Sequence, residues 1–145
     1  MKIIAQNKKA KHDYFIEETY EAGLVLQGTE VKSLRLGKCS IKESYVQIKQ
    51  HEAWLVGSTI ALYSHGNRLN HEEQRPRKLL LHKREIKRLE MEVKTKRVNL
   101  IPTKIYFNKG KVKIELGVGK GKKKYDKRQD EAKKSAEKKL RQEDY

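Results

Sequence analysis

Basic side chains recur in five clusters along this chain of 145 residues, whose formal net charge is +16. In chain order the clusters are Lys8, Lys9 and Lys11; Lys32, Arg35 and Lys38; Arg75, Arg77, Lys78, Lys83 and Arg84; Lys94, Lys96 and Arg97; and the residues from Lys120 onward. Closely spaced cations neutralise successive phosphates, and the planar guanidinium of Arg holds phosphate oxygens or stacks on bases. The clusters therefore predict a polyanionic partner, with nucleic acid favoured over an acidic membrane surface.

Aromatic side chains are interleaved with these bases. His12 and Tyr14 follow Lys11, and Tyr125 lies within the basic stretch 122–128. An aromatic ring beside cations can stack an unpaired base, a contact worth ~1–3 kcal/mol. Such rings can therefore add base stacking to the charge contacts with a nucleic-acid partner.

Other chemistry finds little support in the residue types and their spacing. The five histidines are scattered without an H-x-x-x-H pair, and Cys39 is the single cysteine, so no zinc site is predicted. Acid pairs such as Glu17-Glu18 point to opposite faces of a strand, which is poor geometry for shared acid–base work. We predict neither a cofactor nor an enzyme. His65 and His71 share a polar loop and suit base or ribose contacts, although an unremarkable polar loop is somewhat favoured.

The chain carries no sign of export or membrane insertion. Its N-terminus lacks the apolar region of a signal peptide, and no run approaches the ~20 apolar residues of a spanning helix. A lone Cys39 forms no internal disulfide, which fits a reducing compartment. We therefore expect a cytoplasmic protein without a membrane partner.

Hydrophobic periodicity predicts the elements that must position the basic clusters. Alternating apolar residues predict strands at 14–20 and 24–26, split by Glu21-Ala22-Gly23, and at 45–49, 53–56, 99–107 and 111–118. The strands 45–49 and 53–56 are predicted to form one hairpin, and 99–107 and 111–118 another. A helical pattern predicts a short helix after Gly28, with Thr29 as N-cap and Gly37 as its stop, and a longer helix over 83–96. Residues 1–11 are predicted to form a short polar arm, and residues 64–77 a long polar loop.

Short antiparallel strands with two or three helices predict a mainly β protein. The expected fold is a β-barrel resembling the oligonucleotide-binding (OB) fold, with the helices on its outside, because closure removes exposed strand edges. Residues 1–119 form the predicted barrel body. Residues 120–145 carry 11 Lys or Arg and 6 Asp or Glu, almost without core-forming side chains. We predict that this tail is disordered in the free protein and becomes helical on a partner.

Four motifs in order resemble the bacterial SsrA-binding protein family, also called small protein B. They share high basic content and are Asn7-Lys8-Lys9-Ala10-Lys11-His12-Asp13-Tyr14-Phe15-Ile16, Gly28-Thr29-Glu30-Val31-Lys32-Ser33-Leu34-Arg35, Arg77-Lys78-Leu79-Leu80-Leu81-His82 and Lys120-Gly121-Lys122-Lys123-Lys124-Tyr125-Asp126-Lys127-Arg128. The resemblance implies an OB-like barrel and a non-catalytic adaptor in trans-translation. Such an adaptor clasps the tRNA-like domain of transfer-messenger RNA, and its tail occupies the decoding centre and mRNA channel of a stalled ribosome.

By motif position, the resemblance implies two sets of contact residues. Those for transfer-messenger RNA are Asn7, Lys8, Lys9, His12, Glu21, Arg35, Arg77, Lys78 and Leu80. Those for the ribosome are Gly121, Lys122, Lys123, Tyr125, Asp126, Lys127 and Arg128. Other implied partners are alanyl-tRNA synthetase and elongation factor Tu, both indirectly through the RNA, with the protein itself a monomer.

Two roles within these sets need a physical explanation. Glu21 is an acid on an RNA surface, so we expect it to accept hydrogen bonds from an exocyclic amine or a 2′-hydroxyl. Leu80 either presents an apolar contact to a base or simply packs in the core beside Leu79 and Leu81. Two other functions stay open: a ribosomal or initiation-type factor, and an RNA-processing enzyme that uses the barrel as a platform.

Overall fold

The computed structural model describes residues 1–66, 70–123, 127–129 and 131–133. Its strands are β1 Lys2–Gln6, β2 Tyr14–Leu24, β3 Cys39–Ser40, β4 Tyr45–Lys49, β5 Glu52–Val56, β6 Thr59–Ile60, β7 Arg77–Leu80, β8 Asn99–Asn108 and β9 Lys111–Gly121. Its helices are α1 Lys9–Asp13, α2 Gly28–Arg35 and α3 Lys83–Lys96. The residues Tyr125 and Asp126, like most of the predicted tail, lie outside the described residues.

Seven strands form one antiparallel sheet in the order β1-β8-β9-β2-β7-β5-β4, and β3 pairs with β6 separately. The long strands β2, β8 and β9 dominate it, and bulges interrupt β2 between Ile16 and Glu18 and β8 between Pro102 and Lys104. Bulges bend a strand and increase its twist. The sheet consequently curls until β4 lies against β8 and β3 against β1.

This architecture confirms the predicted mainly β, OB-like body with flanking helices. In the part of the chain that the structure describes, no continuous ladder closes β4 onto β8, so the barrel is curled rather than sealed. The core between the curled faces holds Leu55, Leu79, Leu89, Ile114 and Leu116, each almost fully buried.

Two predictions about the first 24 residues were wrong. The expected polar arm contains β1, which pairs with β8, and α1 follows it directly. The predicted break at Glu21-Ala22-Gly23 is absent, because these residues continue β2 opposite Ile114 and Lys113 of β9. Gly23 suits a crowded strand rather than a turn here, since a Cβ on it would lie 3.3 Å from Cβ of Leu80.

The helix boundaries agree with the sequence prediction except at one cap. Helix α2 ends at Arg35, and Gly37, just after its C-cap Leu36, has a φ of +71°, the left-handed conformation expected at a helix stop. Its N-cap, however, is Gln27 rather than Thr29: the backbone N–H of Gln27 donates to Glu30 Oε1 at 2.8 Å in a capping box. Helix α3 spans the predicted residues and has the same kind of box between His82 and Glu85.

The predicted strand pairs 45–49 with 53–56 and 99–107 with 111–118 are both confirmed, and β9 continues to Gly121. Each hairpin turns through two residues of positive φ, which is the geometry that matches the twist of paired strands. Gln50 and His51 have φ of 53° and 62°, whereas the other turn uses Lys109 and Gly110. Side chains with a Cβ are strained in this region, so the first turn is the less favourable one.

We expect His51→Gly to stabilise the protein by about 0.5–1 kcal/mol, because glycine adopts the left-handed conformation without strain. Gly110→Ala is the matched opposite change: its φ is +76° and nothing lies within 4 Å of an added Cβ, so it should destabilise by a similar amount. Urea denaturation of both variants measures this. Equal unfolding free energies for both variants and the wild type would contradict the assignment.

Candidate RNA interface

The predicted contact residue Asn7 is a buried anchor rather than an exposed group. Its side chain is 7% exposed, its backbone N–H donates to the carbonyl of Thr103 at 2.7 Å, and its Nδ2 donates to the carbonyl of Pro102 at 3.2 Å. Asn7 also accepts a hydrogen bond from the N–H of Ala10. It therefore ties α1 to β8 and holds Lys8 and Lys9, which are exposed beside it.

Helix α1 brings the predicted RNA set and the predicted ribosome set together. Residues 127–129 and 131–133 have helical backbone conformation. Nε2 of His12 lies 2.9 Å from Oε1 of Glu131, and Nζ of Lys127 lies 3.1 Å from Oδ1 of Asp13. Lys122 adds two bonds to α1: its N–H donates to the carbonyl of Asp13 at 2.7 Å and its Nζ to that of Lys11 at 2.9 Å.

These contacts perturb the titration of α1. Hydrogen bonds to Asp13 and then to Glu131 raise the pKa of His12 above its ordinary value. Hydrogen bonds from His12 and then from Lys127 lower the pKa of Asp13. The charged forms of both side chains are therefore favoured where the beginning of the tail meets α1.

Glu21 lies near the opposite end of β2 and is exposed. Its carboxylate accepts a hydrogen bond from the hydroxyl of Tyr106, a residue that is only 4% exposed. Burial, followed by this hydrogen bond, raises the pKa of Tyr106, so the phenol stays a donor at all physiological pH values. An exposed acceptor oriented from beneath by a fixed donor suits the predicted role of reading amines or hydroxyls on RNA.

Leu80 is presented to solvent beside Glu21 on the neighbouring strand. Its side chain is 53% exposed, whereas that of Leu79 is 1% exposed, because successive residues of a strand face opposite sides. This placement favours the base-contact role of Leu80 over core packing. Lys78 is half-exposed and lies 3.5 Å from Glu52, an exposed ion pair that binds the lysine weakly.

Arg77, by contrast, has no side-chain hydrogen-bond donor free to contact RNA. Its side chain is 0% exposed, and its Nε donates to Oε2 of Glu30 at 2.6 Å. Nη1 donates to Oγ and the carbonyl of Ser58, and Nη2 to the carbonyls of Glu72 and Glu73. All five N–H donors of the guanidinium are thus directed at protein acceptors. The predicted direct contact by Arg77 is wrong, because the residue is part of the protein interior.

The partner of Arg77 is Glu30, which is fully buried and also binds Arg75. Burial alone would raise the pKa of Glu30, but hydrogen bonds from Arg75, the Gln27 N–H and Arg77 outweigh it, so the pKa is lowered. Sequence reasoning missed Glu30, Arg75 and Tyr106 as residues that support the interface. The Gln27–Glu30 spacing of a capping box was an available signal for Glu30.

The exposed predicted residues thus fall into two clusters, one at each end of β2. The α1 cluster holds Lys8, Lys9 and His12, with Gly121, Lys122, Lys123, Lys127 and Arg128 beside or following it in the chain. The β7 cluster holds Glu21, Lys78 and Leu80. Tyr14 and Gly23 lie at or next to the two ends of β2, and the nine residue steps between them correspond to roughly 30 Å. Arg35 is exposed on α2, which follows β2 in the chain.

The Cys39 thiol and the possible metal ligands add no second site among the described residues. Burial raises the pKa of Cys39 to about 11, so its thiol is almost entirely protonated at neutral pH. Among the described residues, no group of His, Cys, Asp and Glu side chains converges as metal ligands. Within the same residues, no helix is long and apolar enough to cross a membrane.

Fold and surface together define a small basic β-barrel protein of the nucleic-acid-binding class. A family model described as "SmpB protein" matches residues 4–144. An SsrA-binding protein of Desulforudis audaxviator is 55% identical over 96% of this chain and 91% of its own length. One from Fervidobacterium nodosum is 54% identical over 98% of this chain and 96% of its own length.

A solved structure described as "tmRNA-SmpB: a journey to the center of the bacterial ribosome" contains a similar chain. It is 48% identical, with a TM-score of 0.68, over 83% of this chain and 85% of that one. The chain therefore belongs to the SmpB family.

Leu80→Ala should weaken binding to a tRNA-like RNA about tenfold while changing the unfolding free energy by less than about 0.5 kcal/mol, because the side chain is exposed. Leu79→Ala is the matched control: it removes a buried side chain and should destabilise by about 2–5 kcal/mol. Filter binding and chemical denaturation measure the two quantities. A Leu80→Ala variant that binds like the wild type would contradict the base-contact role.

Replacing Glu131 with Gln should lower the pKa of His12 towards its ordinary value, since one of its two acceptors loses its charge. The tail contact is favoured by protonated His12, so it is fully present below the unfolded pKa near 6.5 and is lost as pH rises through the higher folded pKa. NMR titration of the His12 ring measures both effects, with Glu18→Gln as a distant control. An unchanged His12 titration would indicate a tail that does not dock on α1, as its predicted disorder implies.

Proposed function

We propose that this protein is an RNA-binding adaptor of trans-translation. It binds the tRNA-like domain of transfer-messenger RNA and carries it to stalled ribosomes, so that the nascent peptide is tagged and the ribosome released. The single observation that supports this most strongly is the nearly full-length similarity to SsrA-binding proteins at 54–55% identity. The exposed clusters at the ends of β2 agree with an RNA partner, since they combine cations with acceptor and apolar groups.

In this proposal the body and the tail of the protein bind different partners. Residues 1–119 hold the RNA through Lys8, Lys9, His12, Glu21, Arg35, Lys78 and Leu80. Residues 120–145 enter the decoding centre and mRNA channel, where Tyr125 stacks on a base and Lys127 and Arg128 neutralise phosphates. The contact between His12 and Glu131 agrees with a tail that begins beside α1 of the body.

The protein acts by binding and catalyses nothing in this proposal. Burial raises the pKa of the Cys39 thiol, which stays protonated at neutral pH, and the Arg77 guanidinium is bonded to protein acceptors, so neither residue is proposed as a catalytic group. The alternative of an RNA-processing enzyme predicts turnover of RNA that is lost at a single residue while binding is kept. Since its partners are ribosomes and transfer-messenger RNA, we place the protein in the cytoplasm.

Removing residues 124–145 should leave affinity for the tRNA-like RNA within about twofold and abolish peptide tagging on stalled ribosomes. Cutting after Lys123 keeps β9 whole and preserves the hydrogen bond from Lys122 to Asp13. A chain whose residues 124–145 are replaced by a Gly/Ser linker of equal length separates tail sequence from tail length. Loss of RNA affinity in the truncated protein would contradict the division between body and tail.

A further inference from the structure

The loop between β6 and β7 packs its first residues against α2. The N–H of Ala61 donates to the carbonyl of Lys38 at 3.1 Å, which joins the loop to the end of the α2 turn. Nζ of Lys32 lies 5.4 Å from the centre of the Tyr63 ring, within the range of a cation–π contact. His65 meets the same ring edge-on, with centroids 5.5 Å apart and an interplanar angle of 70°.

The base of this loop is held firmly by two polar side chains. Asn70 accepts a hydrogen bond from the N–H of Tyr63 at 3.3 Å and donates to the carbonyl of Tyr63 at 2.9 Å. His71 is buried, with its ring nitrogens 2.9 Å from Oγ1 of Thr29 and 2.9 Å from the carbonyl of Ile60. The two loop histidines therefore differ in role: His71 fixes the loop to α2, and His65 is exposed.

Cations are the charges carried by the two segments that meet at this ring. Lys32 and Arg35 lie three residues apart on α2, hence on one face of the helix, and Lys38 follows. Segments 31–42 and 57–70 contain no Asp or Glu, and Glu72 and Glu73 come after the base of the loop. An exposed aromatic ring beside cations is the arrangement that single-stranded nucleic-acid sites use for base stacking and phosphate neutralisation.

This surface adjoins the β7 cluster. Val31 of α2 and Leu80 line one cleft of about 360 Å³ together with Gly23 and Leu26. An RNA strand that touches Leu80 can therefore continue along α2 towards Tyr63 and His65. Arg35 is far from Lys9 along the chain, but it lies on α2 and can contact an RNA strand that continues there.

We propose that Lys32, Arg35, Tyr63 and His65 form a stacking site for one unpaired base of the RNA partner. The base stacks on the His65 ring, Tyr63 supports that ring from its edge, and the two cations hold the flanking phosphates. The site rests on the proposed function, because that function supplies an RNA with unpaired loop bases. It extends the RNA surface from β7 onto α2 and the loop at residues 61–66.

The test compares the full chain with its His65→Ala and His65→Phe variants. Two probes are used: the tRNA-like domain of transfer-messenger RNA, and a fully paired RNA duplex of equal length. His65→Ala should lose roughly tenfold in affinity for the tRNA-like RNA, as expected for one lost stacked base, and less than about twofold for the duplex. His65→Phe keeps a stacking face and should bind both RNAs like the wild type.

His51→Asn is the control, since His51 is an exposed histidine in the β4–β5 turn, away from α2. It should leave both affinities unchanged. Wild-type affinity of His65→Ala for the tRNA-like RNA, or equal losses on both probes, would overturn the stacking site and leave the proposed function standing. A wild-type protein that does not bind the tRNA-like RNA would overturn both.

Discussion

A buried carboxylate must be matched by cations and hydrogen bonds, and the structure is organised around one such group, Glu30. Glu30 accepts from Arg75, Arg77 and the Gln27 N–H at the first turn of α2. Arg77 begins β7 and also holds the carbonyls of Ser58, Glu72 and Glu73. One ion cluster therefore joins α2 and β7 to Ser58, which precedes β6, and to Glu72 and Glu73 in the loop between β6 and β7. Removing Glu30 alone leaves the buried Arg77 guanidinium without a counter-charge, which costs about 3–5 kcal/mol.

Because successive residues of a strand face opposite sides, the residues that fix β7 in the protein are separate from those that can contact RNA. Arg77 and Leu79 face inward and fix β7, while Lys78 and Leu80 face outward and are available to a partner. The same division recurs with buried Tyr106, which orients exposed Glu21, and with buried His71, which fixes the loop carrying exposed His65. Because each exposed group has a rigid support, little conformational entropy is lost when RNA binds.

Sequence patterns predicted the elements whose signals are local. Alternation predicted the two hairpins, and 3.6-residue periodicity predicted α2 and α3. Strand β1 was missed because it is stabilised by pairing with a distant strand, β8. Strand β2 was split because Ala22 and Gly23 resemble a turn in the sequence, whereas in the structure Leu80 packs beside Gly23. The interface residues were assigned by motif position in the family resemblance, which does not distinguish an exposed cation from a paired one. Arg77 was misplaced for that reason, since its partner Glu30 lies 47 residues away.

The central claim is that a rigid body presents two clusters of RNA contacts, one at α1 and one at β7, at the two ends of β2. NMR chemical-shift mapping of the full-length protein, titrated with the tRNA-like domain, tests it most directly. The account predicts that shifts concentrate at Lys9, Glu21, Lys78 and Leu80 while the exposed face of α3 around Met91 stays unchanged. Shifts centred on α3, or spread evenly over the barrel, would contradict it.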